Sequence, residues 1–335
     1  MTIERIVLNP ERNVSLTAYI QPVGGEFGQI ECRPGVLVIP GGGYHFCSDR
    51  EAEPVAFAYL KAGYQAFILR YSLDAQSIWP NPLDDYEQAM ALIRQSADQW
   101  HVAEDRIAVV GFSAGGHLAA CAATMSKHRP NAAILGYPVI DGDCVREYQR
   151  TAPDVVAHVD GNTCPCFVFA TRTDNLVPAV NTIHLVDALY RNEVAFESHI
   201  YSNGPHGLST GDASIEGNPF CERYPRWVED SISWLKDVLG GVTPKGLAAP
   251  RFGAKVNGNR EKTLNLDCTL AHLMGNPAAK ALLDTAVSGW NSDAPSGRAT
   301  VIRLGDTLRY MGMDVGRIRE IGEKLNAIDN RSKEA

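Results

Sequence analysis

A serine between an apolar run and an alanine-rich segment is the residue of this sequence best placed to do chemistry. The stretch VVGFSAGG at residues 109–116 places the pattern G-x-S-x-G around Ser113. A serine on such a strand-to-helix turn is held with its hydroxyl exposed, and the flanking glycines let neighbouring backbone approach closely. We therefore predict that Ser113 is a nucleophile. The alternative is a hydroxyl that only caps the following helix.

A nucleophilic serine needs a base to take its proton and an acid to orient that base. With this kind of turn, the acid and then the histidine follow the serine along the chain, each at the end of a strand. Asp174 and His206 occur in that order, and each follows a short apolar run. We predict Asp174 as the acid and His206 as the base. Asp141, which follows an earlier apolar run, is a second candidate for the acid.

Three glycines follow the first strong apolar run, in the sequence PGGGY at residues 40–44. Free backbone N–H groups in such a loop can stabilise the oxyanion that forms when a serine attacks a carbonyl. We predict that Gly42, Gly43 and Ala114 supply these donors. A phosphate-binding loop is disfavoured, because no Lys-Ser or Lys-Thr pair follows and GGGYHF does not match G-x-G-x-x-G.

Side chains near these loops could hold an acyl group or stack on a sugar ring, although packing in the core is an equally good explanation for each. The candidates are Tyr44, His45, Phe46 and Trp79. His117, inside the helix after the serine, is interpreted as a packing histidine. Residues 48–51, SDRE, are interpreted as the N-terminal cap of the next helix. No H-E-x-x-H or paired-cysteine pattern is present, so we expect no metal and no cofactor.

Short apolar runs alternate with segments of helical periodicity through most of the chain, which predicts an α/β fold with a mostly parallel sheet covered on both faces. The predicted strands are 36–39, 66–71, 107–110, 132–136, 166–170 and 196–201, and the predicted helices are 51–62, 83–97, 114–125, 180–191 and 227–239.

The composition changes after residue 239, where a segment rich in glycine, proline, lysine and asparagine begins. This composition is typical of a linker. We predict a catalytic domain over 1–239, a linker over 240–262 and a small all-α domain over 263–335. The last of these would hold about three short helices, with Asp314 capping the final one.

The 335 residues are 45% hydrophobic and 21% charged, as in ordinary globular proteins. The net charge is 31 − 39 = −8, which gives no reason to expect nucleic-acid or membrane binding. No run approaches the roughly 18 apolar residues of a membrane span, and MTIERIVLNPERN does not resemble a signal peptide. Eight scattered cysteines are expected to be thiols, so we expect a cytoplasmic protein.

Several motifs together resemble the α/β-hydrolase superfamily, and within it the small carbohydrate esterases of the acetyl-xylan esterase-like and feruloyl esterase-like kind. The motifs are PGGGY, REAEPVA, RYSL, PNPLDD, RIAVVGFSAGGHLAA, GYPVI, DNLVP and GPHG. The resemblance covers about residues 15–240. It implies a triad of Ser113, Asp174 and His206 and an oxyanion hole at Gly42, Gly43 and Ala114. Pro40 stands where lipase-like relatives have the histidine of HGGG.

The resemblance implies a serine esterase that removes small acyl groups, above all acetyl, from xylan-derived oligosaccharides. A feruloyl esterase, or a formamidase or acyl-peptidase with the same triad, is an alternative. A carbohydrate-binding or scaffold protein with an inactive hydrolase domain is an alternative of another class. The helical segment after residue 263 would either assemble copies of the chain or pack as a stabilising appendage.

Overall fold

In the computed structural model the chain forms two compact units, Met1–Ala254 and Lys255–Ala335. The residues that the structure describes are 1–212, 221–252, 255–287, 290 and 301–330. The boundary between the units falls inside the predicted linker 240–262. Residues 253–254 of that linker, and 288–289, 291–300 and 331–335 of the predicted helical domain, lie outside the described residues.

The first unit is built on an eight-stranded sheet with the strand order 1-2-4-3-5-6-7-8. The strands are β1 Thr2–Asn9, β2 Val14–Ile20, β3 Arg33–Ile39, β4 Gln65–Arg70, β5 Val102–Phe112, β6 Ala132–Gly136, β7 Cys166–Thr171 and β8 Phe196–Tyr201. Strands β3 to β8 run parallel to one another, whereas β2 pairs antiparallel with β1 and with β4. The predicted α/β fold with a mostly parallel sheet is therefore the observed one.

Helices cover both faces of this sheet. They are α1 Glu53–Lys61, α2 Asn81–Gln95, α3 Ala97–Trp100, α4 Ser113–Met125, α5 Gly142–Tyr148, α6 Val180–Arg191 and α7 Arg226–Leu239. Successive residues of a strand point to opposite faces, so Leu37 and Ile39 enter one core while Val36 and Val38 enter the other. Because both faces are buried, the strands read as continuous apolar runs.

The N-terminal hairpin of β1 and β2 was not predicted from the sequence. Most of β1 is exposed or half-buried at the sheet edge, so little apolar pattern marks it. Part of the predicted linker is ordered within the first unit, as a short hairpin of β9 Val242–Thr243 and β10 Gly246–Leu247.

The second unit contains four short helices among its described residues, rather than about three. They are α8 Leu270–Met274, α9 Pro277–Ala286, α10 Leu304–Tyr310 and α11 Val315–Asn326. Asn276 separates α8 from α9, because its side chain accepts hydrogen bonds from the amides of Ala278 and Ala279 and so begins α9. Asp314 caps α11 by accepting from the amide of Arg317, as predicted. Among the described residues, no helix is both long and apolar enough to cross a membrane.

His117 lies in α4 with its side chain fully buried, as the sequence indicated for a packing histidine. Its Nε2 lies 2.9 Å from the carbonyl oxygen of Pro153 and its Nδ1 lies 2.7 Å from the hydroxyl of Tyr44. Burial lowers the pKa of His117 from an ordinary 6.5 to about 4, so the ring is neutral at pH 7. The carbonyl can only accept, so Nε2–H donates to it, and the unprotonated Nδ1 accepts from the hydroxyl of Tyr44.

This pKa predicts a loss of stability in mild acid. Between pH 6.5 and about 4 the unfolded chain binds a proton at His117 that the folded chain does not, so stability falls as the pH falls. From pH 7 to about pH 5 the loss should be about 2 kcal/mol. We expect His117→Gln to remove that part of the pH dependence in urea unfolding followed by tryptophan fluorescence. His158→Gln, at an exposed histidine, is the control; an equal pH dependence in all three proteins would contradict the assignment.

Candidate active site

Ser113 occupies a strained turn between the end of β5 and the start of α4. Its φ of +53° lies in the left-handed region, where a side chain is tolerated only if the surroundings impose the conformation. The flanking glycines impose it through close backbone packing. A Cβ on Gly111 would lie 2.3 Å from the carbonyl oxygen of Gly115, and one on Gly115 would lie 2.2 Å from that of Ile39. This is the geometry expected of a nucleophilic serine turn.

The structure brings Ser113, His206 and Asp174 together in one hydrogen-bonded chain. His206 Nε2 lies 2.9 Å from Ser113 Oγ, and His206 Nδ1 lies 2.7 Å from Asp174 Oδ2. An ionised carboxylate only accepts, so Nδ1–H donates to Asp174 and Nε2 is free to accept from the serine hydroxyl. This tautomer suits a histidine that takes a proton from Ser113.

Asp174 is 6% exposed and is fixed from its other side. Its Oδ1 accepts hydrogen bonds of 2.9 Å from the amides of Leu176 and Val177. These two bonds hold the carboxylate in the loop after β7 and leave Oδ2 for His206. The other candidate acid, Asp141, lies elsewhere: its carboxylate is 3.0 Å from Nδ1 of His184 on α6.

The glycine loop after β3 lies beside Ser113. Gly42 and Gly43 have φ values of +134° and +62°, and a Cβ on Gly42 would lie 2.0 Å from the carbonyl oxygen of Phe46. Among the described residues, none accepts a backbone hydrogen bond from the amide of Gly42 or Gly43. Ala114 is in the first turn of α4, where an amide has no acceptor within the helix. These N–H groups can serve an oxyanion.

A cavity of about 400 Å³ opens at Ser113 and His206. His45 and Phe46 line this cavity. Its other walls include Ser48, Arg50, Glu51, Tyr148 and Leu176. Arg50, Glu51, Tyr148 and Leu176 were not predicted as site residues. No local sequence pattern marks Tyr148 and Leu176 as site residues. Tertiary packing brings them to the cavity from α5 and from the loop that carries Asp174.

Two of the predicted substrate-binding residues lie outside this lining. Tyr44 is 1% exposed and its hydroxyl bonds to His117, so it serves the core beneath the glycine loop. Trp79 is half-buried and packs edge-on against His117, with 5.9 Å between ring centroids. Neither is among the described residues around the cavity. Core packing, the alternative weighed for each, explains both.

The interpretation of residues 48–51 as a helix cap is wrong, because α1 has Ala52 at its N-cap and no side chain caps it. These residues form a turn of 3₁₀ helix over Asp49–Glu51, and α1 begins two residues later at Glu53. The Glu51 carboxylate points inward and is 3% exposed. It accepts hydrogen bonds from the amide of Gly41 at 2.7 Å and from the hydroxyl of Tyr137 at 2.6 Å. Burial raises the pKa of this carboxyl.

Comparison with known proteins agrees with this architecture. The BD-FAE family model matches residues 28–152, which contain the glycine loop and Ser113. The structure of MGS-M1, an α/β-hydrolase enzyme from a Medee basin deep-sea metagenome library, is 41% identical, with a TM-score of 0.66 over 70% of this chain and 97% of that chain. This chain belongs to the α/β-hydrolase family. The family and fold class expected from the sequence are thereby confirmed.

The names of two curated relatives refer to xylan. Endo-1,4-beta-xylanase B of Butyrivibrio fibrisolvens is 30% identical over 210 residues, which are 54% of this chain and 33% of that protein. The acetylxylan esterase of Xylanibacter ruminicola is 28% identical over 225 residues, which are 61% of this chain and 45% of that protein. The hydrolase chain thus spans less than half the length of these relatives. Further relatives and structural neighbours are esterases and carboxylesterases, which agrees with the expected enzyme class, a hydrolase of carboxylic ester bonds.

No cluster of three or more histidine, cysteine or carboxylate side chains suited to a metal ion occurs in the part of the chain that the structure describes. The chemistry that Ser113, His206 and Asp174 can do together is nucleophilic attack by an activated hydroxyl next to free backbone donors.

The two aspartates that follow strands give a direct test of which one serves His206. In Asp174→Asn, Oδ1 can keep its two backbone bonds while the amide group presents N–H to Nδ1, which forces the wrong imidazole tautomer. We expect kcat for an ester substrate to fall about 10⁴-fold with little change in melting temperature.

Asp141→Asn is the matched control for this variant, because Asp141 bonds to His184 and not to His206. It should keep activity within about twofold, as substitutions outside the reacting groups do. A large loss in Asp141→Asn together with an active Asp174→Asn would reverse the assignment of the acid.

Proposed function

We propose that this α/β-hydrolase is a serine carboxylesterase that removes small acyl groups, above all acetyl, from xylan-derived oligosaccharides. The observation that carries the proposal is the contact of one imidazole with both partners, 2.9 Å from Ser113 Oγ and 2.7 Å from Asp174 Oδ2. The three groups lie beside free backbone amides, and this combination is what acyl transfer from an ester requires.

The proposed reaction begins when His206 Nε2 takes the proton of Ser113 as Oγ attacks the ester carbonyl carbon. The carbonyl oxygen becomes an oxyanion, which accepts hydrogen bonds from the amides of Gly42, Gly43 and Ala114. The N-terminal end of α4 adds the positive end of a helix dipole. Asp174 stabilises the imidazolium that has formed.

Collapse of the tetrahedral intermediate breaks the bond to the alkoxy oxygen, and His206 gives its proton to the leaving alcohol. Ser113 is then acylated. A water molecule attacks the acyl carbonyl with His206 again as base, and the acid leaves as Ser113 recovers its proton. No step needs a further reactant besides water.

The choice of a small acyl group and a sugar rests on the size of the cavity and on the relatives. At about 400 Å³ the cavity lies near the lower end of the 300–1,000 Å³ typical of ligand pockets. Phe46, Tyr148 and Leu176 give it apolar and aromatic walls. The names of the two curated relatives point to xylan. The net charge of −8 favours a neutral oligosaccharide over a polyanion as partner.

The test compares acetate and ferulate release from acylated xylo-oligosaccharides, with para-nitrophenyl acetate as a general ester. Ser113→Ala should lower kcat on every substrate by at least about 10³-fold, because the nucleophile is lost. Ser198→Ala, at an exposed serine on β8, is the control and should match wild type.

We expect serine-dependent acetate release to dominate. Dominant ferulate release would move the substrate class to aromatic acyl groups. Wild-type turnover that survives in Ser113→Ala would contradict the mechanism, and binding of xylo-oligosaccharides without turnover of any ester would favour a binding or scaffold protein.

A further inference from the structure

A buried carboxylate joins the glycine loop to the histidine loop of this site. Glu51 is 3% exposed, and its two carboxylate oxygens bind two different parts of the site. Oε2 accepts from the amide of Gly41 and Oε1 accepts from the hydroxyl of Tyr137. Both neighbours donate, so the two oxygens of Glu51 act as hydrogen-bond acceptors.

On one side, Glu51 holds the glycine loop against the serine turn. The bond from the Gly41 amide is 2.7 Å long, and the carbonyl of the same residue accepts from the amide of Ser48 at 2.9 Å. A Cβ on Gly41 would lie 2.8 Å from Glu51 Oε2 and 2.9 Å from Ser113 Cβ. Gly41 is thus enclosed between the carboxylate and the nucleophile. The next two residues along the chain are Gly42 and Gly43, the predicted oxyanion donors.

On the other side, Glu51 holds Tyr137, whose ring packs against the base. The ring of Tyr137 meets the ring of His206 at 70°, with 4.9 Å between centroids. Its hydroxyl donates to Glu51 at 2.6 Å and accepts from the amide of Ser209 at 3.0 Å, in the same loop as His206. The φ of Tyr137 is +34°, a strained value that the surroundings must impose.

From these contacts we propose that Glu51 is a positioning residue, which keeps the oxyanion donors and, through Tyr137, the His206 imidazole in register around Ser113. The inference rests on the proposed esterase function. It predicts that Glu51 contributes to stabilisation of the transition state rather than to substrate binding. The groups that Glu51 holds act on the oxyanion and on the transferred proton.

The experiment compares Glu51→Gln, Tyr137→Phe and the double variant in the full chain. Glu53→Gln and Tyr19→Phe are matched controls. The Tyr19 hydroxyl donates to the Glu53 carboxylate over 3.0 Å, and this tyrosine–glutamate pair is not part of the site. Four quantities are measured: kcat and KM for para-nitrophenyl acetate, the inhibition constant of a boronic acid that mimics the tetrahedral intermediate, the rate of phosphonylation of Ser113 by a fluorophosphonate, and the melting temperature.

We expect Glu51→Gln to lower kcat and the phosphonylation rate by about 10²-fold, the size of the effect of losing one oxyanion donor. KM should stay within about threefold, and boronic acid inhibition should weaken by the same factor as kcat. Tyr137→Phe should show the same pattern to a smaller extent. The double variant should lose little more than Glu51→Gln, because the two residues act as one unit.

A purely structural role would lower the melting temperature and the fraction of enzyme that can be phosphonylated, yet leave kcat per reactive site and boronic acid affinity unchanged. That result, or equal losses in the Glu53 and Tyr19 controls, would overturn the inference. Failure of the proposed function looks different: wild type itself would not be phosphonylated at Ser113, and the positioning role would fall with it.

Discussion

The site depends on the close backbone packing that forces Ser113 into the left-handed region at the end of β5. Gly111 and Gly115 have no room for a side chain, and a Cβ on Gly115 would meet the carbonyl oxygens of both Ile39 and Pro40. The nucleophile turn is therefore packed directly against the strand that leads to the glycine loop. This packing sets the distance between the attacking oxygen and the backbone donors, so a larger residue at either glycine would displace both.

Parallel strands supply the other parts because their carboxyl ends meet at one edge of the sheet. Strands β3, β5, β6, β7 and β8 are neighbours in that order. The loops that leave them carry, in the same order, the glycine loop, Ser113, Tyr137, Asp174 and His206. Residues far apart between positions 40 and 206 of the sequence thus meet in one site, where hydrogen bonds join the loops to one another.

Local patterns in the sequence predict much of this arrangement. The buried strands are continuous apolar runs, and the serine turn, acid and base follow strands in a fixed order, so the fold class and the residues that meet could be named. Tyr44 and Trp79 could not be sorted from pocket residues, because an aromatic side chain has the same local pattern in a core and in a pocket. Glu51 resembles a helix cap in sequence, and only tertiary packing turns its carboxylate inward.

The central claim is that Ser113 forms a covalent acyl-enzyme, and acid quenching during turnover of para-nitrophenyl acetate tests it most directly. Peptide mapping by mass spectrometry then locates any acetyl group that is retained. The account predicts that the retained acetyl group lies on the peptide that contains Ser113. An acetyl group retained on another residue, with none on Ser113, would contradict it.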